Sequence, residues 1–275
     1  MKLLSFASGT GLLLAASVMA PASTAWAAQS SAYAISADLT TDGGSHVLLA
    51  PQLPTSGSTT LGQSYDNPKS ASLISKTVRL LPAVLPSPAL TVLEQTVATD
   101  ASGASGVDAV NTKGTSGAAT GVVALMLYPP IPVPIQPVAS DAVLPRPQPA
   151  LLVQFSKLKA SASYNQVFPG PSQRSGSTHA GSITLSGGLL GLKSLTFSGD
   201  IAPNTVAVNT PHLKITLNAQ TIPKNPVCDP GTVCPLYRVL ETVDTKAILI
   251  ELTNAPVWGH QVSGDIAIAD AQAGQ

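Results

Sequence analysis

Residues able to carry chemistry are few in this chain and widely spaced. The four histidines stand at positions 46, 179, 212 and 260. None forms an H-E-x-x-H or H-x-H pair, so a zinc ligand set of the hydrolase kind is missing from the sequence. His260 precedes Asp265 by five residues, with Gly264 between them as a turn signal. A hairpin there would join the two as an acid–base pair, whereas a plain surface turn would leave them incidental neighbours. Ser156 and Lys159 match S-x-x-K, a signature that works on a helical turn. The preceding Leu151–Phe155 run reads as a strand, where positions three apart face opposite sides, so the match carries no relay. No G-x-S-x-G, phosphate-binding loop or dinucleotide fingerprint occurs.

Carboxylates offer three further readings. Asp38, Asp42 and the Gly43-Gly44 turn are the closest approach to a calcium loop, but the D-x-D-x-D-G ligand order is absent. A solvated turn accounts for them. Glu94, Glu241 and Glu251 are the only glutamates. Glu251 lies inside an apolar run, so a buried carboxylate with a raised pKa is the reading to check there; an outward-facing one is the simpler alternative. Trp258, beside Gly259 and His260, is the aromatic best placed to stack on a sugar, with a core role as the default. Trp258 and His260 are therefore the candidate ligand contacts. No catalytic residue, metal ligand or cofactor site is assigned.

Compartment is written more plainly than chemistry. Residues 1–27 have the parts of a cleavable secretory signal. Lys2 supplies a positive charge, an apolar stretch follows around Leu12 to Ala16, and Ala25-Trp26-Ala27 closes it with small residues flanking the cut. The apolar stretch falls short of the ~20 residues that span a bilayer, so no membrane anchor is expected after cleavage. Residues 28–275 are expected to be extracytoplasmic, secreted or held at the cell surface or periplasm. Cys228 and Cys234, in C-D-P-G-T-V-C, then close a tight disulfide loop around the turn formers Pro230 and Gly231. The chain-entropy model gives roughly 2–2.5 kcal/mol for so short a ring. Two thiolates alone are too few to hold a metal.

Composition sets the remaining bounds. Fourteen basic and fourteen acidic residues balance, and only 10% of the chain is charged, which excludes the clustered basic surface that nucleic acid demands. A hydrophobic fraction of 44% with only 4% aromatics predicts a folded core of Val, Ile, Leu and Ala.

The elements that would position these residues are strands. Tyr33, Ile35, Ala37 and Leu39 alternate with small or polar residues, as do Leu195 and Phe197, then Ile215, Leu217 and Ala219, then Ile266 and Ile268. Val122–Leu127 and Ala247–Ile250 are apolar at every position and read as central strands covered on both faces. Thr41-Asp42-Gly43-Gly44 and Asn204 mark turns. Leu80–Val97 is the best helical stretch, but Pro82, Pro86 and Pro88 break it, and Thr91–Val97 reads as a strand. The Gly/Ser/Thr-rich run from Asp100 to Gly121 is expected to be a mobile loop or weak edge. Prolines crowd 129–150, which favours an extended surface crossover over a groove-binding ligand. Ten to fourteen short strands separated by turns predict a single all-β domain over 28–275, an antiparallel β-sandwich-like fold with a Pro-rich extended crossover.

Several segments together carry a family resemblance. Ser31–Leu39 (S-A-Y-A-I-S-A-D-L), Ser64–Asn67, Thr99–Ser102, Pro203–Val208 and Lys214–Gln220 (K-I-T-L-N-A-Q) are the principal ones. With the closing T-K-A-I-L-I-E-L and G-D-I-A-I-A-D-A-Q-A, they resemble the choice-of-anchor P family of bacterial exported proteins. The resemblance implies a β-rich domain displayed on or released from the cell, with no catalytic residues to carry over. Members often end in an anchoring signal, yet here only A-D-A-Q-A-G-Q follows Ile268, so a released or non-covalently held protein is expected. L-P-T-S-G at Leu53–Gly57 lies too far from the end to act as a sorting motif. The expected function is a non-enzymatic surface, envelope or secreted interaction protein, its partner an envelope component, polysaccharide or other surface protein, with self-association through edge strands as a further mode. A carbohydrate-binding module and a hydrolase of unrecognised type are the alternatives. Four Phe, five Tyr and two Trp supply few stacking platforms for the former.

Overall fold

Alternation with period two builds fourteen strands among the described residues, all paired antiparallel. The computed structural model describes residues 28–81, 87–128, 149–167, 172–222 and 242–274. The first sheet, A, holds β1 (Ala28–Thr41), β2 (His46–Gln52), β3 (Thr55–Thr59), β11 (Thr205–Asn209), β12 (Leu213–Thr221), β13 (Thr242–Val257) and β14 (His260–Gly274). The second, B, holds β4 (Gln63–Asp66), β5 (Lys69–Arg79), β6 (Ser87–Ser105), β7 (Ala109–Tyr128), β8 (Leu151–Val167), β9 (Gln173–Gly187) and β10 (Leu192–Ile201). The chain leaves sheet A after β3, runs the whole of sheet B from β4 to β10, and returns at β11. Strand β14 then pairs with β1. The architecture is a two-layer antiparallel β-sandwich.

The sandwich has two unlike halves. At one end the inward side chains are large: Ile35, Leu39, Ile248, Ile250, Ile266 and Ile268 from sheet A meet Leu90, Leu125, Leu151, Val153, Phe155 and Ile183 from sheet B. Burying each such side chain contributes about 1.5–3 kcal/mol. At the other end the inward residues are small: Ala28, Ser30, Ala32 and Ala34 on β1 and Ala271 and Ala273 on β14. They face Ala101, Thr112, Gly114, Ser116, Ala160 and Ala162. Short side chains reach the opposite backbone there. Ser116 Oγ donates to Tyr33 O at 2.8 Å, Thr112 Oγ1 to Gly274 O at 3.2 Å, and Ser30 Oγ to Ser102 O at 3.1 Å. A Cβ on Gly114 would lie 2.5 Å from Gln272 O and 2.6 Å from Ser31 O, so backbone meets backbone at that glycine. Tyr65 fills the edge of this narrow half, its ring against Gly57 and Gly103 and its hydroxyl 2.8 Å from Ser30 Oγ.

A transverse row divides the halves in each sheet. In sheet A, Ala34 and Ile35, Ala247 and Ile248, Ile268 and Ala269, and Leu217 and Asn218 are consecutive residues that both face inward. In sheet B the doubled residues face outward, at Gln95–Thr96, Ala119–Thr120, Ser156–Lys157 and Gly181–Ser182. Thr96, Lys157, Asn218 and Ala269 take φ values near +50° in these rows, a conformation that costs most residues energy and that Asn tolerates best. The register continues unshifted across the row, so the reversal of facing is shared by adjoining strands.

This row changes several expectations. Tyr33 faces outward although Ile35, Ala37 and Leu39 face inward. Ala247–Ile250 is apolar because two consecutive residues point inward, not because both faces are covered; Leu249 lies on the outer face. Val122–Leu127 is central in its sheet as expected, yet Met126 is exposed. The Gly/Ser/Thr-rich run from Asp100 to Gly121 is neither mobile loop nor weak edge. It forms the β6–β7 hairpin at the middle of the narrow half, where only small residues let the sheets approach. The Pro-rich segment joins the adjacent strands β7 and β8; its own path, the signal expected at 1–27 and the disulfide expected between Cys228 and Cys234 lie outside the described residues.

The close approach is testable. Gly114→Val must push β7 away from the β1 and β14 backbones, and overpacking of this kind costs about 1–3 kcal/mol. Urea unfolding is expected to show that loss, with no loss for Gly106→Ala in the β6–β7 turn, where an added Cβ meets its nearest heavy atom at 3.5 Å.

Candidate functional site

The outer face of sheet A collects the charged and amide side chains that the alternation excludes from the core. Strand pairing arranges them in rows across the strands. One row runs Lys214, Glu251, Asp265, Asp38, from β12 to β1. Lys214 Nζ pairs with Glu251 Oε2 at 2.7 Å, and His46 Nε2 lies 2.6 Å from Asp38 Oδ1. Both ends of the row are therefore matched, while Asp265 stands between two carboxylates. Partial burial, then Glu251 and Asp38, push its carboxyl above the usual range.

The next charged row, Tyr33, Asp270 and Lys246, lies just past the transverse row toward the narrow end. Asp270 is 0% exposed. Its Oδ2 accepts from the Tyr33 hydroxyl at 2.9 Å and lies 3.3 Å from Lys246 Nζ. Lys246 also donates to Asp244 Oδ2. Burial, and secondarily Asp244, push the Asp270 carboxyl up. Burial likewise pushes the Tyr33 phenol up, with the Asp270 charge adding to it. Burial works against the Lys246 ammonium, but Asp270 and Asp244 outweigh it and hold its pKa above the ordinary value. The cluster is a compact charge network closed over a fully covered carboxylate.

Beyond it, Asp244 aside, the face becomes uncharged and hollow. Ser56, Ser31, Gln272 and Asp244 form one row, and Ser58, Gln29, Gly274 and Thr242 the next. A groove of about 500 Å³ opens over Ser56, Ser31, Gln272, Ser58, Gln29 and Thr242. Gly274 leaves its row without a side chain between Gln29 and Thr242. Ser31 Oγ donates to Gln272 Oε1 at 3.1 Å, which orients the amide. A smaller depression of about 200 Å³ lies beside Lys246, between Asn204, Thr216, Gln220 and Glu251.

The residues singled out from sequence are placed elsewhere. Trp258 (φ 47°) and Gly259 (φ 82°) form the two-residue turn of the β13–β14 hairpin at the wide end, a type I′ geometry. The indole is half-buried against the core, not a free platform. His260 pairs across that hairpin with Val257, and its Nδ1 lies 3.5 Å from Asp42 Oδ1. Asp265 is on the same strand as His260, so no hairpin joins that pair. Asp38 and Asp42 each face a histidine, and no group of three potential metal ligands occurs among the described residues. Ser156 and Lys159 both face outward, because the reversal at Lys157 cancels the alternation. They remain about 10 Å apart along the strand, and Ser156 Oγ lies 2.8 Å from Ser182 Oγ.

Of the two readings of Glu251 the outward-facing one holds, and the buried carboxylate is Glu94, which the sequence did not single out. Glu251 is outward and ion-paired, whereas Glu94 is inward on β6, 1% exposed, between Ile74 and Gly121. Its Oε2 has no partner among the described residues, and burial pushes its pKa up to about 7. Sequence reasoning missed Tyr33, Asp244, Lys246 and Asp270 as a group; the pairing of Lys246 with Asp270 depends on a register that only the folded β13–β14 hairpin supplies. No family model, curated protein or solved structure matches the chain.

Two measurements follow. Glu94 binds its proton more tightly folded than unfolded, so its contribution is complete below about pH 4.5 and is lost as pH rises through 7. The loss is on the order of 3 kcal/mol. Glu94→Gln is expected to remove that slope from urea unfolding recorded between pH 5 and 8.5, and to be more stable than the parent at pH 8.5. Lys246→Met leaves Asp270 covered and uncompensated and is expected to cost about 3–5 kcal/mol. Adding Asp270→Asn is expected to restore part of it in a double-mutant cycle.

Proposed function

We propose that this chain is an exported, non-enzymatic binding protein that engages an envelope component through the outer face of sheet A. The observation that carries the reading is the polar groove of about 500 Å³, set beside the charge network of Tyr33, Asp270, Lys246 and Asp244. The network is built as a support. Its central carboxylate is covered, its cation is shared between two acids, and its phenol is committed to Asp270. Groups held in this way brace a surface and keep neighbouring side chains in fixed rotamers.

Export is supported by the three-part signal pattern over 1–27. The resemblance to choice-of-anchor P proteins agrees with a displayed or released β domain. A hydrolase would need an acid and a base within reach of substrate. Asp270, the acid of the network whose pKa is most clearly raised, is covered by its own partners.

The test joins compartment to binding. Cells expressing the full chain are fractionated, and the exported species is weighed intact. A product beginning at Ala28 that sediments with isolated envelopes, and is released by a Gln29→Ala/Gln272→Ala variant, is the expected outcome. A cytoplasmic product retaining Met1, or envelope retention unchanged in the variant, overturns the reading.

A further inference from the structure

Resting on that reading of the outer face of sheet A, its ligand class can be derived from what lines the groove. The floor is made of hydroxyls and primary amides: Ser31, Ser56, Ser58, Thr242, Gln29 and Gln272. Each offers both a donor and an acceptor. Gly57 and Ala273 add only small apolar surface and no aromatic side chain lines the groove, so polar contacts dominate what it offers a ligand. What it matches is a ligand that presents many neutral donor–acceptor groups at close intervals.

Its geometry sets the repeat. Ser56, Ser31, Gln272 and Asp244 are in register on four adjacent strands, and strands lie about 4.8 Å apart. A chain laid across them meets a new polar side chain about once per strand, about the advance of one pyranose unit. Gln272 is pre-oriented by Ser31 Oγ, which lowers the ordering cost on binding.

Electrostatics narrow the class further. The face carries Asp38, Glu251, Asp265, Asp244 and Asp270 against Lys214 and Lys246. The lysines are already paired, with Glu251 and with the two acids of the network. An anionic polymer arriving at this surface meets excess negative charge and no uncommitted lysine in the charged rows. We infer that the groove over β3, β1, β14 and β13 is a binding site for a glycan strand that is neutral or amine-bearing, lying across the strands, and that acidic polysaccharides are excluded. Asp244, at the end of the row and joined to Lys246, is the carboxylate nearest to a sugar amine or vicinal diol.

Calorimetry on the exported chain tests this with three probes: a β-1,4-linked hexamer of glucosamine, its N-acetylated form, and polygalacturonate. Binding of one or both hexamers, none of polygalacturonate, and a loss of about tenfold or more for Gln272→Ala are the expected results. Ser58→Trp, which fills the groove from an exposed edge position, is expected to abolish binding while unfolding at the same urea concentration as the parent. Thr115→Ala, on the outer face of sheet B, is expected to bind like the parent. The inference is overturned if neither hexamer binds, if polygalacturonate binds as well, or if Gln272→Ala and Ser58→Trp both retain full affinity. Envelope retention without glycan binding would overturn this inference alone and leave the proposed function standing.

Discussion

The distance between the two sheets at the narrow end is the constraint on which the rest of this structure depends. At Gly114 the β7 backbone comes so close to β1 and β14 that even one methyl group would collide with Ser31 O and Gln272 O. Everything inward at that end must therefore be Ala, Ser, Thr or Gly, with few exceptions. Hydroxyls there reach across to carbonyls instead of packing methyl groups, so part of the cohesion comes from buried hydrogen bonds that would be costly to leave unmade. The wide end follows the usual rule, with Leu, Ile, Val and Phe interdigitating over a thicker gap.

Between the two ends the long strands change facing. The transverse row of doubled residues does this, inward in sheet A and outward in sheet B. Its backbone cost, four residues at positive φ, is borne at positions where the cross-strand register holds on either side. On the outer face of sheet A the same row separates Tyr33 from Ser36 and Lys246 from Leu249, and so sets the charge network at the boundary between the charged rows and the neutral groove. The site and the reversal of facing are one feature seen from two sides of the sheet.

Two buried acids illustrate how location decides character. Asp270 is fully covered but receives a phenol and an ammonium, so its charge is held by partners. Glu94 is equally covered among apolar neighbours with an Oε2 unpartnered among the described residues, and only protonation relieves it. The first supports a surface, whereas the second makes stability depend on pH without facing any groove.

By itself the sequence determined the class. Alternating Val, Ile, Leu and Ala with punctuating Gly, Pro, Asn and Asp specify an all-β antiparallel fold, a sandwich or a barrel, because these are local properties: side-chain direction, turn geometry and helix breaking act within a few residues. The turns at Asp42–Gly44 and Asn204 and the β6 strand across Thr91–Val97 were legible for that reason. What only the tertiary structure decided is which residues share a face beyond the transverse row. Nothing in Ala34-Ile35 or Ile268-Ala269 marks a reversal, since both residues of each pair are apolar, and only Asn218 hints at a positive φ. The Asp100–Gly121 run reads as a mobile loop or weak edge in the sequence because small residues look like weak strand formers until a second sheet presses on them. Tyr33, Lys246 and Asp270 lie up to 237 positions apart in the chain and become neighbours through the closing of β14 on β1 and β13. Register is a long-range property of paired strands, and no local pattern encodes it.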